Sequence, residues 1–194
     1  MELAAIVLAG GRSSRMRRAK QGLKLDGRTL LQRAVDACAD CGQIAVVADS
    51  GQVKEWIAPD PRVVITLEDP PDGGPVAGLA AGLAALRLQD GDGVVVIACD
   101  LPRVDELMPQ LLVHAAHADH EAVVPQDSQG WPQWLAAWYR VGPLRSALGQ
   151  AQELRDVSVR RVLGGIEHHS ISLPDQLLGD VDDPEQARAA GIEV

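Results

Sequence analysis

The sequence predicts an α/β three-layer sandwich built on a mostly parallel sheet, and three observations predict it. Short, continuous apolar runs recur at residues 4–8, 44–48, 63–67 and 94–98, the pattern of strands buried on both faces. Between them, apolar residues fall at helical spacing: Leu30, Leu31, Ala34, Val35 and Cys38 in one segment, and Val76, Leu79, Ala80, Leu83 and Leu86 in another. Strands that alternate with helices pair in parallel and are covered on both faces.

Taken in order, the first run ends at Gly10-Gly11 and gives way to a polar, basic loop. The third run leads into Glu68-Asp69-Pro70-Pro71-Asp72-Gly73-Gly74-Pro75, which no regular element accommodates. The helix that follows carries Gly78 and Gly82, each costing roughly 1 kcal/mol against Ala in a helix interior. Close approach of a neighbouring backbone or of a ligand is the expected reason. The fourth run ends at Cys99-Asp100. A helix over residues 105–118, strands over 122–124 and 135–139, a helix over 143–149 and a last strand over 166–173 follow. Asp183-Pro184-Glu185-Gln186 reads as an N-cap, a proline at the first helical position and a capping-box partner. No repeat or linker interrupts the chain, so residues 1–194 are expected to form one domain.

Composition narrows the function classes. With no Phe and one Tyr, the core must be built from Leu, Val, Ile and Ala. A formal net charge of −9 argues against a nucleic-acid polymer as partner, which would need a basic face. Positive charge is instead concentrated between Arg12 and Lys24, which suits a small anionic ligand. No apolar run approaches the roughly 20 residues of a membrane helix, so no membrane partner is expected. Met1-Glu2-Leu3 leads into the first strand without a cationic signal start, and three cysteines form no disulfide framework. A cytoplasmic location is the expectation.

Ligands of such sheets sit beyond the carboxyl ends of the strands. Those ends carry the Gly10 loop, the Asp69 loop and Asp100, so three chemically suggestive segments meet on one edge. The first reads Leu8-Ala9-Gly10-Gly11-Arg12-Ser13-Ser14-Arg15-Met16-Arg17-Arg18-Ala19-Lys20. Paired glycines let the backbone turn sharply and present N–H groups to an anion. Arg15 and Lys20 can neutralise a triphosphate, the arginine gripping two oxygens at once. The loop lacks both the G-K-[S/T] of a Walker A motif and the G-x-G-x-x-G of a dinucleotide fold. Asp100, at a strand end, suits Mg2+, which takes one or two carboxylates together with phosphate oxygens and water.

This loop resembles the signature L-A-G-G-x-S-x-R-M-G-x-D-K of the molybdenum cofactor guanylyltransferases. These belong to the Rossmann-like nucleotidyltransferases, of nucleotide-diphospho-sugar transferase type. The resemblance continues through Gly22-Leu23-Lys24-Leu25-Asp26-Gly27-Arg28-Thr29-Leu30-Leu31, Glu68-Asp69, Gly74-Pro75-Val76-Ala77-Gly78-Leu79, Cys99-Asp100-Leu101-Pro102 and Asp180-Val181-Asp182-Asp183-Pro184-Glu185, all in the family's order. It implies transfer of GMP from GTP to molybdopterin with release of pyrophosphate, using Mg2+. It implies catalytic roles for Arg15, Lys20 and Asp100, and a metal site at Asp100 and Asp182. Nucleotide contacts fall on Leu8, Ala9, Gly10, Gly11, Lys20, Asp49, Asp69, Gly74 and Asp100. Transient contacts with molybdenum cofactor enzymes or chaperones are implied as well.

Two departures stand out. Arg17 replaces the signature glycine, and Ala19 replaces the aspartate before the lysine. Gly11, in Leu-Ala-Gly-Gly, leans toward guanine, whereas cytidylyl-transferring relatives more often show Leu-Ala-Ala-Gly. A related enzyme using CTP or another phosphorylated acceptor, and a nucleotide-binding partner protein that has lost activity, are the alternatives.

Other motifs carry less. Cys38-Ala39-Asp40-Cys41 has the C-x-x-C form but no second pair or histidine to complete a zinc site. His114, His117 and His120 recur every third residue, the spacing of a solvated helix end with adventitious metal affinity. Trp134 and Trp138 share parity and suit a core, while Trp131, in a turn, could stack on a flat ring such as a pterin.

Overall fold

The computed structural model describes residues 1–10, 19–117 and 119–193. β1 (Leu3–Leu8) is apolar without interruption because it lies mid-sheet, with a strand on each side and helices over each face. A single 3-10 turn (Lys20–Gly22), a hairpin of β2 (Lys24–Leu25) and β3 (Arg28–Thr29), and α1 (Leu30–Ala37) come next. The hairpin turns at Asp26-Gly27, both with positive φ (53° and 75°), as a two-residue turn of this kind demands. Thr29 Oγ1 caps α1 by accepting from Gln32 N at 3.0 Å.

The remaining elements are β4 (Gln43–Val47), α2 (Ser50–Trp56), β5 (Val63–Thr66), α3 (Pro75–Ala85), β6 (Gly93–Ala98), α4 (Val104–Ala116), β7 (Ala122–Gln126) and β8 (Ala136–Arg140). After these come α5 (Val141–Gln150), α6 (Val159–Leu163), β9 (His168–Ser172), α7 (Asp175–Leu178) and α8 (Pro184–Ala189). The sheet runs β5-β4-β1-β6-β8-β7-β9. Only β8 runs against its neighbours; the other pairings are parallel. The mostly parallel three-layer architecture expected from the sequence is therefore present.

Strand alternation sorts the core into two layers. Ala5, Val7, Ile44, Val46, Val95 and Ile97 face α1, α2 and α4. Ala4, Ile6, Ala45, Val47, Val94 and Val96 face α3, α5 and α6. A third, small cluster of Leu23, Leu30, Val181, Ala187 and Ile192 binds α8 and its leading segment to the chain that follows the basic loop.

Several expectations need adjustment. The two α3 glycines do answer to close packing, and the protein neighbours are side chains rather than a backbone. A Cβ at Gly82 would lie 2.6 Å from Ile6 Cγ2 and 3.0 Å from Val47 Cγ2. At Gly78 it would meet Val47 and Leu8 at 3.4 and 3.5 Å. The hairpin, α2, α6 and α7 lie outside the expected elements, and the last strand is shorter than the expected 166–173, because Ile166 and Leu173 bury from the flanking loops. Trp134 and Trp138 are both buried, yet in opposite layers, because Trp134 precedes β8 instead of lying in it. Trp131 is exposed. Among the described residues, no helix is long and apolar enough to cross a membrane.

Candidate active site

The site is assembled where β1, β4, β5 and β6 end. Backbone hydrogen bonds continue the sheet one residue past the strands: Ala9 N donates to Val47 O (3.0 Å) and Cys99 N donates to Leu8 O (3.0 Å). The residues just beyond, Gly10 and Asp100, are thereby held on one edge. Gln21, buried within the 3-10 turn, donates its side-chain amide to Ala9 O, which clips that turn to the end of β1. Lys20 is the neighbouring residue, so this clip sets where its side chain starts.

Lys20 Nζ lies 3.2 Å from Asp100 Oδ2 and 2.6 Å from Asp182 Oδ1, three residues separated by most of the chain. Its side chain is only 15% exposed. Burial works against the Lys20 charge, but the hydrogen bonds and charges of Asp182 and Asp100 outweigh it and hold the ammonium pKa above the ordinary lysine value. Val181 N donates to Asp100 O (3.1 Å) and the Val181 side chain is buried, so the Asp180–Asp182 segment is registered directly against the end of β6. The reciprocal capping box of Asp183 and Gln186 fixes the chain immediately after it, with Gln186 Oε1 also accepting from Asp182 N at 2.6 Å.

Asp180 and Asp182 stand either side of buried Val181 and both reach the neighbourhood of Asp100. Asp100, Asp180 and Asp182 each offer a carboxylate oxygen, and these lie within 4.8 Å of one another. Partial burial, followed by the charges of Asp100 and Asp182, raises the Asp180 pKa above the usual aspartate value. Three hard oxygen donors this close fit a divalent cation of the Mg2+ or Mn2+ type. Lys20 neutralises two of the same carboxylates.

The other anticipated residues lie farther along the edge. Asp49, just past β4, caps α2 by accepting from Gly51 N at 2.8 Å. Asp69 is exposed in the loop after β5. Gly74 takes φ 83° at the N-cap of α3, a backbone favouring glycine, and opens the helix ahead of Pro75. Glu68 Oε1 accepts from Gly73 N (3.1 Å), and Arg155 donates to Pro70 O at 2.6 Å, pinning this loop from the segment after α5. Leu8 and Ala9 are buried and Gly10 is exposed. Gly11 and Arg15, with Arg17, lie outside the described residues.

The structure thus brings Lys20, Asp100 and Asp182 into contact and adds two residues that the sequence reading did not assign. Asp180 could have been found from the Asp-x-Asp alternation about an apolar residue. Gln21 carries no comparable signal, since a buried glutamine next to a basic loop has no pattern of its own.

A 560 Å³ cavity opens beside Asp100 and Asp180, lined also by Gln133, Trp134 and Leu178. It lies over β8, on the side away from Asp49 and Asp69, so the edge is divided into two halves with the carboxylates between them.

The sequence pattern of the MobA-like NTP transferase domain matches residues 5–171. A Nostoc sp. protein named as a probable molybdenum cofactor guanylyltransferase is 30% identical over 194 residues, covering 94% of this chain and 87% of its own. The structure of molybdopterin-guanine dinucleotide biosynthesis protein A from Archaeoglobus fulgidus superposes with a TM-score of 0.71 at 20% identity, over 96% of both chains. That of Rv0371c from Mycobacterium tuberculosis, in complex with manganese, gives 0.67 at 22% identity over 97% of both chains.

Proposed function

The chain belongs to the MobA-like NTP transferase family, the family of the molybdenum cofactor guanylyltransferases, and is a nucleotidyltransferase; on that premise we propose that it transfers GMP from GTP to the terminal phosphate of molybdopterin and releases pyrophosphate. The observation that carries this reading is the bridge from Lys20 to Asp100 and Asp182, set at the strand ends beside the glycine loop.

The chemistry is an in-line displacement. An oxygen of the acceptor phosphate forms a bond to the α-phosphorus of GTP as the bond from that phosphorus to the β-phosphate oxygen breaks. The acceptor oxygen is already ionised near neutral pH, so no side-chain base or covalent intermediate is required. What the protein supplies is position and charge. Lys20 stabilises the negative charge that builds on the departing pyrophosphate, and Arg15 is assigned the same role. Asp100 and Asp182, with Asp180 beside them, would hold a divalent cation, which would supply charge neutralisation for the triphosphate.

The two halves of the edge are assigned to the two substrates. Gly10, Gly11, Leu8 and Ala9 cradle the phosphates, while Asp49, Asp69 and the Gly74 helix start serve the nucleoside. A carboxylate there can accept from the N–H groups on guanine or from ribose hydroxyls. The cavity over β8, with its tryptophan, takes the acceptor.

Pyrophosphate release measured over a nucleotide panel, with Mg2+ and molybdopterin, tests this. GTP is expected to be the preferred donor. Preference for CTP would assign the chain to a cytidylyl-transferring branch, and GTP binding without release would make it a nucleotide-binding protein only.

A further inference from the structure

Pro70 and Pro71, in the loop that leads from β5 to α3, carry no N–H, so neither can donate a bond that would fix the loop. What they present is carbonyls, and these are gripped from a distant part of the chain. Arg155, 85 residues on from Pro70, donates from Nη1 to Pro70 O at 2.6 Å and to Pro71 O at 3.3 Å, and from Nη2 to Pro71 O at 3.4 Å. The next residue, Asp156, takes a left-handed φ of 52° and donates its N–H to Gly73 O at 2.9 Å. Leu154 and Val157, on either side of this pair, pack into the layer of α3, α5 and α6, so the guanidinium extends from a fixed root. Gly73 is buried, and a Cβ there would lie 2.7 Å from Ala77 Cβ and 3.2 Å from Arg155 Nη1. The glycine is what lets the guanidinium close on the loop.

Resting on the nucleotidyl-transfer reading above, we infer that Arg155 is a positioning residue for the nucleoside of the donor. It sets the loop over residues 68–74, which carries Asp69 and opens α3 at Gly74, before the nucleotide arrives. Arginine suits this task because its planar fork can serve the carbonyls of two successive residues at once, which a lysine ammonium matches poorly. A loop already ordered spares the binding step the entropy of ordering it. Both terminal nitrogens of Arg155 are engaged with loop carbonyls, so the residue acts through the loop and not on the phosphates. Lys20 differs in this respect, since it stands among the carboxylates at the ends of the strands. The two cations therefore have separable effects: Lys20 on the outer phosphates, Arg155 on the nucleoside.

Calorimetry on the full chain with GTP, GMP and inorganic tripolyphosphate, comparing the wild type with Arg155→Met, tests the inference. GTP and GMP should each bind about tenfold more weakly, by the same factor, while tripolyphosphate is unaffected, because only the nucleoside half is loosened. In turnover, KM for GTP should rise with kcat within about twofold of the wild type, whereas a merely destabilised fold would lower kcat and leave KM alone. Arg155→Lys keeps the charge without the planar fork and should recover part of the loss. Hydrogen exchange of the ligand-free chain should quicken over residues 68–78 in Arg155→Met and stay unchanged in the central strands. Because exchange needs no ligand, an unchanged rate over that loop would overturn the clamp whatever the donor is. Faster exchange with unaltered affinity for GTP and GMP would overturn the role in recognition. So would a larger loss for GTP than for GMP, which would make Arg155 a direct phosphate contact. A wild type that prefers another nucleotide would overturn the GTP reading alone, and the same ratio is then taken with that nucleotide and its monophosphate.

Discussion

Lys20 faces two carboxylates in a niche that water reaches only partly, so its charge is fixed in place before any nucleotide arrives. Its pKa in the folded protein lies above the ordinary value of 10.5. The stabilisation that follows is complete below that value and is lost only as pH rises through the folded pKa, so none of it varies near neutrality. Lys20→Ala should slow turnover and weaken GTP binding by about tenfold or more while affecting GMP much less, because the role proposed for the ammonium is on the β- and γ-phosphates. Calorimetry with both nucleotides checks this; equal losses would move Lys20 away from the outer phosphates. Asp180 behaves oppositely. Its raised pKa means the native state holds the proton more tightly than the unfolded chain, so stability declines as pH climbs above 3.8. Asp180→Asn should therefore raise the melting temperature in the presence of a chelator, by the equivalent of about 0.5 kcal/mol given its exposure. The gain should vanish when Mg2+ is added. A lower melting temperature in chelator would show that the repulsion among the three carboxylates is not felt.

At the scale of elements, the site depends on how closely α3 lies on β1 and β4. Gly82→Ala should destabilise the fold by about 1–3 kcal/mol, since the new methyl would sit 2.6 Å from Ile6 Cγ2 in a close-packed layer. Denaturant unfolding checks it, and unchanged stability would mean that the helix can lift without cost. The central strands were legible because burial on both faces leaves an unbroken apolar run, as in residues 94–98. The helices α1 and α3 were legible from their spacing, and α8 from its capping box. What escaped was short or poorly marked. α2 buries chiefly Val53 and is announced only by its Asp49 cap, and the β2–β3 hairpin pairs two residues with two, although Asp26-Gly27 was a readable turn.

Across the whole molecule, the third core cluster explains why the site is built from both ends of the chain. Leu23 and Leu30 follow the basic loop, Val181 and Ala187 come from the last sixth of the chain, and their packing brings Asp182 to Lys20. The order of motifs announced this convergence but not its contacts. Asp100 and Asp182 were identified as a pair from resemblance, whereas the ammonium between them, and Asp180 alongside, needed three dimensions.

The central claim, that nucleotidyl transfer takes place at these carboxylates, is tested most directly by pyrophosphate release from GTP and molybdopterin with Mg2+, comparing the wild type with Asp100→Ala. Asp100 lies just past β6 and touches both Lys20 and the Asp180–Asp182 segment, so its loss removes a proposed metal ligand and one of the two anchors of the ammonium. A fall of roughly a thousandfold, equivalent to about 4 kcal/mol in the transition state, is expected with the fold intact by circular dichroism. Turnover within a few-fold of the wild type in a correctly folded Asp100→Ala would contradict the account.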